Sequence, residues 1–378
     1  MGGRTVSTGS SRRTARVLAL CVLAGVVAPV AGGVSAVAGE PFEPRTLTVV
    51  EVGDIIPHDR ITALARRQAG GTSYDYRPMF ADVEPVISAA DLAICHLEGP
   101  VAPAGVRISG GPTVAMPAEV VASLRDVGFD RCALANNHIH DRGRAGIAAT
   151  VAAFRSAGLG FSGIAVAEGE RSAPIESVNG VQVAHLSYTY GTPSTWRYRA
   201  LAPWSVNRLL LDSVLSDAAD ARERGAEVVL VTVHWGRQYR SRPEAWQREF
   251  ARKVSESGLV DLLVGSHPHV AQPIEKIGNL WVVYSLGNFL TDNRPATGKV
   301  AATQDGMILR VRISEQEGGG FAVERPEVIP TFVSVPTYRV LDVAQHVADP
   351  SLSRAQRSAL SRSLRRTSTV VGGYFLPA

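Results

Sequence analysis

ALANNHIHDRG, residues 133–143, follows an apolar run and breaks abruptly into two asparagines, two histidines and an aspartate. The chain has nine histidines in 378 residues, so two of them beside paired asparagines form a concentrated polar feature. An apolar run that stops this sharply is the signature of a buried strand delivering polar groups at its end.

Other segments repeat the pattern. Short β-branched runs such as TLTVVEVGD (46–54), LAICHLE (92–98), VQVAHLSYT (181–189), EVVLVTVHW (227–235), VDLLVGSHP (260–268) and LWVVYSLGN (280–288) alternate with amphipathic stretches. MPAEVVASLRDVG, RAGIAATVAAFRSAG, NRLLLDSVLSDAADARERG and PEAWQREFARKVSESG read as helices, three of them ending at a glycine suited to a C-cap. This alternation predicts an α/β domain with buried strands. Asp54, Glu98, Asn136, Asn137, His138, His234, His267 and His269 all stand at or just after strand ends. Carboxyl ends of parallel strands share one edge, where ligands bind. A mixture of oxygen and imidazole donors there suits zinc, manganese or iron better than calcium. Each residue also has an ordinary reading: a strand-end Asp as a helix cap, His234 as a satisfied core histidine, the asparagines as turn formers.

Hydrophobic residues make up 45% of the chain, enough to bury one large domain or two ordinary ones. The formal charge of +4 misleads, because Arg4, Arg12, Arg13 and Arg16 lie in the first 38 residues, which hold no acid. The remainder carries 35 basic and 35 acidic residues, which gives no argument for nucleic-acid binding or a polybasic membrane patch. Residues 1–38 read as a signal peptide: arginines, an apolar run containing Pro29, and Ala36-Val37-Ala38 before the cut. The expectation is an exported, extracellular or envelope-associated protein, anchored if that run stays uncleaved. Cys95 and Cys132 sit in or beside apolar runs and are read as free buried thiols in preference to a disulfide. Residues 340–378 become Arg- and Ser-rich and read as a helical tail on the surface.

In order, GDIIPHD, SYDYRPMF, LEGP, ANNHIHDRG, LSYTYGT, HWGRQY, GSHPHVAQPIE and YSLGNF make residues 46–335 resemble the CapA (PgsA) family of capsule and poly-γ-glutamate synthesis proteins. That family is similar to the calcineurin-like metallophosphoesterases. The resemblance implies a four-layer α/β/β/α sandwich with two mixed sheets. It also implies two divalent ions (Mn, Zn or Fe): Asp54 and His269 on one, Asn137, His234 and His267 on the other, Glu98 bridging. Paired ions of this kind sit about 3.5–4 Å apart and activate water. His138 would be the general acid, with Asp141 either orienting it or capping the next helix.

The chain departs from the pattern in places. Ile55 and Ile56 follow Asp54 where metallophosphoesterases have Asp-x-His, so His58 is the candidate replacement imidazole; His96, alternating with Glu98 on one strand, is read as an additional ligand or a neighbour of the ligands, with Asn136 as a further candidate near the metal. Gln238 replaces a common Glu. Tyr239, Arg240 and Asn288 are candidate substrate contacts, and Tyr188, Tyr190, Trp196 and Trp235 either wall the cleft or simply pack. His140 is read as a surface residue or a neighbour of the ligands. The implied function is a metal-dependent hydrolase or transferase on an anionic cell-envelope polymer, working beside a membrane ligase or export complex. A phosphoesterase acting on a phosphorylated substrate and a non-catalytic polymer-binding accessory are the alternatives.

Overall fold

The computed structural model describes residues 42–171, 174–191 and 202–375. The export signal read over residues 1–38 and the cleft position read for Trp196 lie outside the described residues. No described helix is long and apolar enough to cross a membrane.

The strands that matter most are β1 (Thr46–Ile55), β2 (Leu92–Leu97), β3 (Arg131–Ala133), β4 (Val181–Thr189), β5 (Val228–His234), β6 (Leu262–Ser266), β7 (Leu280–Val283), β8 (Asn288–Leu290), β9 (Asp305–Glu315), β10 (Glu327–Val333) and β11 (Val340–Asp342). The first sheet runs β11-β10-β9-β1-β2-β3, then the short strand Gly160–Ser162, with β8 also pairing β1. Neighbours β1, β2 and β3 are parallel, and β9, β10 and β11 are antiparallel. The second sheet has β7, β6, β5 and β4 parallel at its centre and an antiparallel strand at each edge. Both sheets are mixed, as expected.

Period-two alternation explains why the sheets stack. Along β5, Val228 and Leu230 enter the same buried cluster as Leu47, Val49, Leu92 and Ile94 of the first sheet. The residues between them, Val229 and Val231, pack outward with Val214, Ala218 and Val254 of α4 (Leu211–Glu223) and α5 (Ala245–Ser257), counting only the helices longer than eight residues. On the first sheet, Val50, Val52 and Ala93 pack outward with residues of α1 (Asp59–Gln68), α2 (Glu119–Val127) and α3 (Gly143–Ala157). The layers are therefore helix, sheet, sheet, helix. Burying each such Val or Leu contributes roughly 1.5–3 kcal/mol. Gly128, Gly158 and Gly258 close α2, α3 and α5 in the left-handed region, as the sequence predicts.

Two readings are corrected here. Cys95 and Cys132 form a disulfide. Sequence places them only in separate apolar runs, but β2 and β3 are adjacent and in register at these two positions, with Cα atoms 4.4 Å apart. LWVVYSLGN is not one strand: Leu280–Val283 belongs to the second sheet, and the chain then crosses to pair Asn288 with Asp54 in the first. That crossing is tight. A Cβ on Gly53 would lie 2.1 Å from the Gly287 carbonyl oxygen, and Gly287 itself has φ +72°.

Beyond residue 335 the first sheet continues through β11, and α6 (Arg354–Val371) lies against the same domain. It buries Leu360, Ser363, Thr367 and Val371, while Arg366 makes two bonds, 2.6 and 2.7 Å, to the Asp305 carboxylate at the start of β9.

Candidate metal centre

The row of side chains between the sheets turns from apolar to polar toward one end. Val228 and Leu230 give way to Thr232 and His234 on β5, and Leu92 and Ile94 give way to His96 on β2. Asp54 lies beside His96 in register, and His234 beside Ser266. The carboxyl ends of both sheets thus deliver their polar residues to one buried place.

Three groups of potential ligand atoms converge there, each within 4.8 Å: Asp54 with His96 and His234, Glu98 with His234 and His267, and Asp54 with Glu98 and His269. None of these residues is more than 4% exposed. Asn137 Oδ1 lies 3.2 Å from His234 Nε2, so it joins the second group. The His96 and His234 rings stack at 5.0 Å, and those of His234 and His267 lie 4.6 Å apart.

The protein alone does not satisfy these atoms. Asp54 Oδ1, both ring nitrogens of His96, Glu98 Oε2 and His267 Nδ1 are buried without hydrogen bonds among the described residues. His96 Nδ1 does come within 3.0 Å of Asp54 Oδ1, but the pair is not aligned as one. Each buried orphan costs about 1–3 kcal/mol, and native structures rarely tolerate a cluster of them. Carboxylates and imidazoles around one space fit a divalent transition metal.

Electrostatics at His234 and His267 point the same way. Burial, reinforced by His267, holds His234 well below the ordinary imidazole range. Burial and the charge of His269 push His267 down to about 3. Both rings therefore keep free lone pairs at neutral pH. Burial raises the Glu98 carboxyl. Burial also opposes ionisation of Asp54, but the imidazoles of His269 and His96 beside it outweigh that and hold this carboxyl well below its usual value. His269 is the counterpart: burial lowers it, yet Glu98 and Asp54 together raise it to about 9.

The site's edge is strained. His267, His269 and Tyr239 have φ of +92°, +58° and +63°, a region where non-glycine residues cost about 1–3 kcal/mol each. The Tyr239 amide donates to the Pro268 carbonyl at 2.8 Å, tying the two strained loops together.

The other expected residues divide clearly. His138 Nδ1 lies 2.7 Å from Asp141 Oδ2, and Asp141 does not cap α3. His138 faces a 390 Å³ cavity that also receives Glu98, His269, Tyr239 and Lys299. His96, read as an additional ligand or a neighbour of the ligands, lies in the ligand cluster, whereas His58, the candidate replacement imidazole, does not: His58 Nδ1 accepts the Asp292 amide at 3.2 Å. His58 instead lines the cavity. Asn136 is no ligand; its amide donates to the Leu97 and Leu134 carbonyls, and its oxygen accepts the His138 amide. It holds the turn that aims Asn137 and His138. Asn288 is not a substrate contact either, being buried with Oδ1 3.0 Å from His269 Nδ1.

Gln238 meets the opposite ring nitrogen, His269 Nε2, at 3.3 Å. Tyr239 and Arg240 line an open 680 Å³ cavity with His267, Asn137 and Tyr190. Tyr190 walls this cleft, its ring 4.8 Å from His267, whereas Tyr188 and Trp235 pack in the core. His140 is buried, not at the surface, and burial pushes it down to about 4. Lys299, 5.0 Å over the Tyr239 ring, is a cavity residue that sequence reading did not single out. It lies in a loop with no periodicity, and only the fold brings it to the cavity.

A family profile described as "Bacterial capsule synthesis protein PGA_cap" matches residues 48–293. The chain belongs to this family. Among relatives of this PGA_cap protein, "Capsule biosynthesis protein CapA" of Bacillus anthracis is 30% identical over 66% of the chain; the match spans 61% of that relative's length. "PGA biosynthesis protein CapA" of Bacillus subtilis is 26% identical over 75% of the chain and 72% of its own. Among solved structures, the calcineurin-like phosphoesterase YfkN of Bacillus subtilis aligns with a TM-score of 0.44 at 12% identity, over 86% of this chain and 98% of that one.

Proposed function

We propose that this PGA_cap protein is a divalent-metal-dependent hydrolase or transferase acting on an anionic cell-envelope polymer. The observation that carries the reading is the convergence of buried, unsatisfied donor atoms beside the open cavity faced by the His138–Asp141 pair. Asp54, His96, Glu98, Asn137, His234, His267 and His269 would hold the metal. Once bound, it would supply Lewis-acid polarisation of the scissile group and acidify an attacking water.

The chain's own residues do the rest. Asp141 accepts from His138 Nδ1–H, which fixes the ring and leaves Nε2 to give its proton to a leaving group. Burial lowers the His138 pKa, but Asp141 and Glu98 overcome that and raise it, which favours the proton-carrying form. Lys299 and Arg240 supply positive charge at the two cavity mouths, where anionic substrate would enter. Work outside the cytoplasm, beside a membrane ligase or export complex, belongs to the same proposal. The Cys95–Cys132 disulfide supports an oxidising compartment.

Elemental analysis of the full chain purified without chelators tests the reading, beside an Asp54→Ala, His234→Ala variant. Bound transition metal that the variant loses supports it. A wild-type protein that takes up neither manganese nor zinc on titration sinks it. A non-catalytic accessory role is favoured by one observation: Ile56, only 6% exposed, occupies the place where the metallophosphoesterase pattern has an imidazole. Polymer binding that survives chelation and His138→Ala would select that role, and phosphate release from simple esters would select a phosphoesterase.

A further inference from the structure

Behind the loops that wall the metal centre lies a separate cavity of 480 Å³, bordered on its far side by α6. The same two loops serve both spaces. Arg240 lines the metal-side cavity and Ser241 the second; His267 lines the first, Val270 and Ala271 the second. Buried Gln272 donates through Nε2 to the Arg240 carbonyl at 2.7 Å, locking one loop to the other.

Charge is distributed unevenly around this second cavity. The last 29 residues hold five arginines and no acid, so residues 39–349 carry an excess of five acids. Two of the five arginines are committed to the fold. Arg366 is neutralised by Asp305, the one carboxylate lining the cavity, and Arg357 donates to carbonyls of the preceding turn. Arg362 and Arg365 are exposed at the cavity rim, one helical turn apart. Arg362 donates only to the Ser358 hydroxyl, and Arg365 has no partner among the described residues. Thr369, one turn further along α6, lines the cavity beside them with its hydroxyl on the Arg365 carbonyl, and opposite are Ser241 and a floor of buried Val270 and Ala271. Solvated surface arginines are commonplace. These two differ in bordering a formed cavity whose one lining carboxylate is already paired with Arg366, and in sharing a wall with the metal centre.

We propose that Arg362 and Arg365, with Ser241 and Thr369, form a second anion site that takes a carboxylate of an extended polymer while another unit of the same chain lies at the metal centre. The inference rests on the polymer reading above and deepens it: the substrate is a long polyanion, held at two places, and not a small ester. Guanidinium groups bind carboxylates through paired, charge-assisted hydrogen bonds, and the apolar floor accommodates the methylenes between successive carboxylates.

The test measures binding of a fluorescent polyglutamate of defined length, and of a glutamate trimer, to the metal-loaded full chain. Arg362→Ala, Arg365→Ala should weaken the long chain roughly tenfold, leaving the trimer and the metal content unchanged. Arg67→Ala, Arg144→Ala removes two exposed charges elsewhere and should leave both affinities alone. A melting curve shows that each variant is folded. If wild type prefers the long chain and the α6 variant keeps that preference, the second site is wrong while the polymer reading stands. If wild type binds neither probe, the polymer reading falls and takes this inference with it. Equal weakening by the control pair shows general charge, not a site. Loss of binding to phosphatidylglycerol vesicles with polyglutamate binding intact would make α6 a membrane-facing helix and overturn the proposal.

Discussion

His138 Nδ1 and Asp141 Oδ2 lie 2.7 Å apart, and the same carboxylate oxygen accepts the Val114 amide at 2.7 Å. The second bond fixes the carboxylate, so the histidine ring is held from behind and its far nitrogen is turned to the cavity. Asp141→Asn keeps the shape but loses the charge. On any substrate the protein turns over, kcat should fall by about 100-fold or more, the range for a misplaced general acid, with metal content unchanged. An unaltered kcat would remove His138 from the proposed chemistry.

His96 and His58 can be separated by metal affinity. His96→Ala deletes a member of the converging group, while His58→Ala deletes a ring bonded to the Asp292 amide. Titration with zinc or manganese should show affinity reduced by at least about tenfold for the first and little changed for the second. The reverse order would move the site toward His58.

Glu51 predicts a pH dependence of stability. It is buried between the sheets, accepts from the Thr232 hydroxyl at 2.6 Å, and burial pushes its carboxyl up to about 8. Unfolded, it loses its proton near 4.5. The folded state therefore holds the extra proton between these values, and stability falls as pH rises through that window, by an amount on the order of a few kcal/mol. Glu51→Gln should flatten the slope in urea melts between pH 5 and 8. A slope equal to wild type would show that Glu51 is not the group responsible.

Removing the Cys95–Cys132 bridge releases a constraint across 37 residues of sequence. Replacing both cysteines with alanine should cost about 2–4 kcal/mol in denaturant melts of oxidised protein. Intact-mass measurement under non-reducing conditions checks the bond itself. Two free thiols in protein secreted from its host would contradict it.

Much of the site was legible because α/β sheets put their chemistry at strand ends, and Asp54, Glu98, His234, His267 and His269 stand where apolar runs stop. The roles of His96 and Asn288 were not so readable. His96 alternates with Glu98 along one strand, which shows that both can face one way, but whether a ligand partner stands opposite depends on the second sheet. Asn288 looked like a substrate contact because it follows a strand, yet the crossing from β7 to β8 buries it against His269.

Sequence by itself determined the alternation of buried strands with amphipathic helices and which residue types arrive at the strand ends. These are local properties, written in the order of apolar and polar residues along each element. Tertiary structure alone decided the Cys95–Cys132 register, the choice of His96 over His58, the service of Lys299 at the cavity and the placing of α6 beside the loops of the metal centre. Each of these depends on which distant segments become neighbours, and that follows from sheet pairing and packing across the whole core, not from any one stretch of the chain.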